Sequence, residues 1–134
     1  MKGIGIKLFF FLLFSSLSNG NTYAQNESLF ADVRLALKAG SSKELSQHFH
    51  DNIQLNIRGE LGNYSKAHAE IYLKEFFKKH KAISFEYVIE RSTKGELKYV
   101  IGNYAHSEGK YLVLIRAKKF DGKEKIYTID FSKE

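Results

Sequence analysis

Five histidines and a group of tyrosines are the side chains here that could carry chemistry, and no cysteine accompanies them. His48 and His50 stand two apart with Asp51 beside them, while His68, His80 and His106 are scattered. Two apart on a short helix, His48 and His50 point in different directions, and no HExxH pattern occurs. A composite site with Asp51 is the weaker reading, and surface histidines are the stronger. Neither a metal nor a cofactor is expected.

Acid–base catalysis of the isomerase or dehydratase kind needs a carboxylate base in a pocket and a donor for the developing enolate. Tyr72, Tyr99, Tyr104 and Tyr127 offer hydroxyls, and Asp130, opposite Ile129 and Phe131 on a strand, offers the carboxylate. Tyrosines at these spacings are more often core or rim residues, so the enzyme reading is the alternative. Gly59 to Gly62 lacks the lysine and the strand–helix setting of a phosphate cradle. Lysine and arginine total 21 against 15 acids, a net charge of +6. Basic clusters at Lys78-Lys79-His80-Lys81 and from Arg116 to Lys125 are interleaved with glutamates over the whole chain. Solvated helix ends and strand edges account for them, and no nucleic-acid partner is expected.

The elements that must hold these residues follow from periodicity. Leu29-Phe30, Val33 and Ala36-Leu37 recur at helical spacing, with Gly40 as the stop. Ser41 stands three before Glu44, which predicts a capped second helix over about Ser42 to Phe49. Ile53, Leu55 and Ile57 alternate as a strand, and Arg58 to Asn63 reads as a loop. Ser65 then caps a helix over Lys66 to His80, whose inward stripe is Ala69, Tyr72-Leu73 and Phe76-Phe77. A meander completes the chain. Ile83, Phe85, Tyr87 and Ile89 alternate; Leu97, Tyr99 and Ile101 alternate with Lys98, Val100 and Gly102; Tyr111 to Lys118 is nearly all apolar. Asp121-Gly122 marks a hairpin into Ile126 to Phe131.

The N-terminus reads as an address. Lys2 and Lys7 precede Leu8 to Phe14, a seven-residue apolar core, and Thr22-Tyr23-Ala24 offers a small-residue exit. That layout predicts a signal peptide over residues 1–24, with a single α+β domain over residues 25–134. Spanning a bilayer as a helix takes about 20 apolar residues, so no membrane attachment is expected after cleavage. Removing 24 of 134 residues leaves 110, and the loss of two lysines lowers the net charge from +6 to +4. A periplasmic or secreted location is expected. Without cysteine no disulfide staples the domain, and packing must supply its stability.

The order helix, helix, strand, helix, antiparallel meander resembles the nuclear-transport-factor-two-like (cystatin-like) superfamily. More closely, the chain is similar to a family of small secreted Bacteroidetes proteins of unassigned function. The stretch Asn63-Tyr64-Ser65-Lys66-Ala67-His68-Ala69-Glu70, running on to Leu73 and Phe76-Phe77, carries that resemblance. Ala36 to Gly40 and Lys94-Gly95 through Ile101-Gly102 add to it. The resemblance implies a cone-shaped α+β fold, with helices packed on a curved antiparallel sheet, and brings no catalytic residues. A non-catalytic domain is expected, binding a small apolar ligand or a protein partner, including a second copy in a homodimer. Tyr72, Phe76, Phe85, Tyr99, Tyr127 and Asp130 are the candidate pocket or interface residues.

Overall fold

The computed structural model describes residues 29–93 and 97–134, so the expected leader with its cleavage point and the Lys94-Gly95 corner lie outside it. Helix α1 (Leu29–Ala39) turns Phe30, Val33, Ala36 and Leu37 inward, as its spacing predicts. Gly40 ends it at φ +65°, a conformation that suits glycine. The Ser41 N–H donates back to Ala36 O at 2.9 Å and the Gly40 N–H to Leu37 O at 3.2 Å, closing the last turn. Ser41 then caps α2 (Ser42–Ser46) by accepting the Glu44 N–H.

This second helix is shorter than expected, and Phe49 belongs to strand β1 (Phe49–Ile57) instead. The sheet claims the chain before a further helical turn can form, because His48 O already accepts the Ile126 N–H at 2.8 Å. The expected loop after β1 is also corrected. Arg58 and Gly59, at φ 57° and 88°, make a two-residue turn, and Ile57 pairs with Glu60 across it. Strand β2 (Glu60–Ser65) follows, and the Ser65 hydroxyl caps α3 (Lys66–Lys79) by accepting the His68 N–H.

Strands β3 (Ser84–Ser92), β4 (Lys98–His106), β5 (Gly109–Phe120) and β6 (Lys123–Lys133) form the meander. Asp121-Gly122, both at positive φ, turn β5 into β6. All six strands make one sheet in the order β2-β1-β6-β5-β4-β3. The expectation of a cone on a curved antiparallel sheet is overturned. Strand β1 runs parallel to β6, so the sheet is mixed, and it stays open rather than strongly curled. The chain leaves β1 through β2 and α3 and returns only after three further strands, which brings β6 alongside β1 in the same direction.

The three helices among the described residues cover one face, and the core lies between them and the sheet. On β4 the buried set is Val100, Gly102 and Tyr104, not Tyr99 and Ile101, because Val100 faces Ile115 and Tyr104 faces Tyr111 in the inward rows of β5. Gly102 lets the fully buried Phe85 ring lie on the backbone: a Cβ there would come within 2.6 Å of Phe85 Cζ and 2.9 Å of Glu86 O. Gly102→Ala is therefore expected to destabilise the domain by about 1–3 kcal/mol in urea unfolding. Gly62→Ala, whose Cβ would first meet the movable far end of the Tyr64 ring, serves as the comparison and should cost less. Equal effects would show that Phe85 can move aside.

Candidate functional site

Helix α3 presents two adjacent ridges, each with a spacing of four residues. Tyr72, Phe76 and His80 form one; Ile71, Glu75 and Lys79 form the other. With Ile57, Arg58 and Glu60 from the β1–β2 turn they line an open cleft of about 610 Å³. Ligand pockets commonly enclose about 300–1,000 Å³, so the cleft is large enough for a small molecule. The Arg58 N–H donates to Phe131 O at 2.9 Å, tying this turn to β6 and fixing one wall.

The floor is aromatic. Phe76 lies 4.7 Å from Phe131, 4.9 Å from His80 and 5.4 Å from Tyr111, measured between ring centroids. Tyr72 packs at 5.3 Å on Tyr64, and burial raises its phenol pKa, with Tyr64 and Glu60 adding to the shift. The Tyr104 hydroxyl donates to His80 O and holds the end of α3 over the sheet. His80 and His106 meet edge to face at 5.0 Å, a pair 26 residues apart in the chain. Burial, followed by the influence of His106 and Arg58, lowers the His80 pKa below its ordinary 6.5. Its Nδ1 is buried without a hydrogen-bond partner among the described residues.

Of the six candidate residues, the cleft gathers only Tyr72 and Phe76. Phe85 is sealed in the core. Tyr99 lies on the helix-free face, opposite Arg116 of β5. Tyr127 also faces that side, because a bulge between the Arg116–Thr128 and Ala117–Ile126 pairs turns it toward Phe120 and Lys118. Asp130 is half-buried on the same face and accepts from Asn56 Nδ2 at 3.2 Å. The carboxylate and the tyrosine hydroxyls of the enzyme alternative are thus not brought together. Among the described residues no group of three or more His, Asp or Glu could hold a metal, and no helix is long and apolar enough to cross a membrane. Sequence reasoning missed Arg58, Glu75 and His80. The spacing of four from Tyr72 through Phe76 to His80 was the signal that could have found the last.

His80 also makes stability depend on pH. Above 6.5 both folded and unfolded chains keep this imidazole neutral. As pH falls through 6.5 the unfolded chain takes up the proton first, so stability is lost until the lower native value is passed. His48, lowered chiefly by burial, adds in the same sense. His80→Gln is expected to lose less stability than the parent over that window in urea titrations, and parallel losses would remove His80 as a cause.

A family model described as "Domain of unknown function (DUF4783)" matches residues 30–132. A solved family protein from Bacteroides ovatus ATCC 8483 is 33% identical, covers 78% of this chain and 94% of its own, and superposes with a TM-score of 0.74. One from Bacteroides uniformis ATCC 8492 is 28% identical over 80% of this chain and 98% of its own, at 0.76. A Nostoc punctiforme domain of unknown function with a cystatin-like fold is 13% identical over 78% and 72%, at 0.63, a likeness of fold alone. No curated protein matches the sequence. With its helices on one face of a mixed sheet and its α3 stretch intact, this chain belongs to the DUF4783 family and has an α+β fold of the cystatin-like, nuclear-transport-factor-two-like type.

Proposed function

We propose that the domain binds a small, mainly apolar ligand in the cleft beside α3, and that it does so in the periplasm or outside the cell. The observation that carries the binding reading is the pairing of an apolar wall with one unmet polar atom. Ile57, Ile71, Tyr72 and Phe76 form the wall, and Ile71 remains 60% exposed although it is a large aliphatic side chain. His80 lines the same cleft, its Nδ1 has no hydrogen-bond partner among the described residues, and a flip of the imidazole would bring that nitrogen to a ligand's polar end. The basic start, apolar core and small-residue exit of residues 1–24 support the location.

The fluorescent probe anilinonaphthalene sulfonate tests the cleft. It should bind the folded protein, and Ile71→Glu should weaken it about tenfold by placing a charge on the apolar wall. Unchanged binding in a folded Ile71→Glu protein would move the site elsewhere.

A second reading has its own observation. Tyr99, Ile101, Leu112 and Leu114 share the helix-free face, and no element among the described residues covers them. Ile89 stands opposite Ile101 and extends the patch. A second copy docking there would bury these side chains together. Light scattering at two concentrations should then show a dimer that Leu114→Glu dissociates, whereas a monomer throughout would set the reading aside.

A further inference from the structure

The helix-free face has two chemically different halves. Strands β3 to β5 carry the apolar patch. The β2-β1-β6 half instead carries amides and hydroxyls in register, with the Asn56–Asp130 pair beyond them: Ser65 faces Asn52 across β2–β1, Asn63 faces Gln54, and Gln54 faces Thr128 across β1–β6.

The backbone opens a groove in this half. Between the Phe49–Ile126 and Gln54–Thr128 pairs, β1 advances five residues while β6 advances two. Strand β1 bows away from β6 there, and the bulge in β6 turns Tyr127 toward the gap. The resulting groove measures about 560 Å³. At one end His50 stacks on Phe120 with ring centroids 3.6 Å apart, and Tyr127 meets Phe120 edge to face at 6.4 Å. Lys118 Nζ sits 5.2 Å and 4.7 Å from the centroids of the Phe120 and Tyr127 rings. Among the described residues neither a carboxylate nor a guanidinium lines the groove, although Arg116 stands opposite Thr128 and Asp130 lies two residues beyond it. Thr128, only 9% exposed, has a buried hydroxyl oxygen without a partner among the described residues.

We propose that this groove is a binding site for a neutral saccharide, with its hydroxyls on the Asn52, Gln54, Asn63 and Thr128 row and its C–H face against the aromatic end. Each amide offers both donors and an acceptor, matching hydroxyls that need both. The absence of a carboxylate from the described lining, and the engagement of Lys118 over two rings, suit an uncharged partner. Rotation of Thr128 about its Cα–Cβ bond would turn its partnerless hydroxyl into the groove, where a ligand hydroxyl completes it. The aromatic end supplies apolar area beside the polar row, as a ring with one C–H face requires.

Titration of the 15N-labelled protein with maltotetraose, cellotetraose and adenosine tests this. At least one tetrasaccharide should shift the side-chain amide signals of Asn52, Gln54 and Asn63. Thr128→Val should weaken that binding about tenfold while leaving the urea midpoint unchanged or higher, since it removes an unpartnered hydroxyl without changing shape. Gln54→Ala, on a half-exposed side chain, should weaken it similarly, and Ile71→Glu in the α3 cleft should not. The proposal is overturned if neither tetrasaccharide shifts those amides, if only adenosine does, or if both groove variants bind as the parent does.

Discussion

Strand β1 pairs in parallel with β6, and the rest of the architecture hangs from that pairing. It joins the first strand of the domain to the last, and backbone bonds secure both ends: Ile126 N–H to His48 O and Arg58 N–H to Phe131 O. Without it, β1 and β2 would be a two-stranded hairpin, which is marginal by itself in water. With it, the hairpin extends the meander into a six-stranded sheet, and α3, which follows directly from β2, is laid across the inner face.

Both candidate sites are consequences of how that pairing is made. Where it is tight, at Ile57 and Arg58, the β1–β2 turn is brought beside the outer ridges of α3 and forms one wall of the cleft. Where it is interrupted, between Phe49 and Gln54, the strands part and leave the polar groove on the opposite face. The aromatic centre explains why the space between helices and sheet is not itself the site. Phe76, Phe77, Tyr104, Tyr111 and Phe131 are all buried there in mutual contact. The cleft lies where a ridge of α3 runs past the edge of that cluster, and the groove lies on the face that the described helices do not cover.

Much of this was legible in sequence because the governing signals are local. The α1 stripe with Gly40, the caps at Ser41 and Ser65 and the Asp121-Gly122 hairpin each depend on residues a few positions apart. The errors arose where pairing between distant strands decides. Strict alternation would have put Tyr127 on the same side as Ile129 and Phe131, and a single bulge moved it to the other face. On β4, Tyr99 and Ile101 look like the inward set until Gly102 is seen to be the small residue that Phe85 requires. Arg58-Gly59 lacks the asparagine or aspartate usual before glycine in such turns, so β2 read as a loop. Half of the cleft was foreseeable from the spacing of α3. Its other half comes from a turn fixed by β6, more than 70 residues further on.

Native-state amide hydrogen exchange tests the claim that the β1–β6 pairing holds the domain together. If it does, the amides of Leu55 and Ile57 on β1 should exchange only through whole-domain unfolding, with the same free energy as those of Ile129 and Phe131 on β6. Exchange of the β1–β2 amides through a cheaper local opening, while β3 to β6 remain protected, would contradict the account.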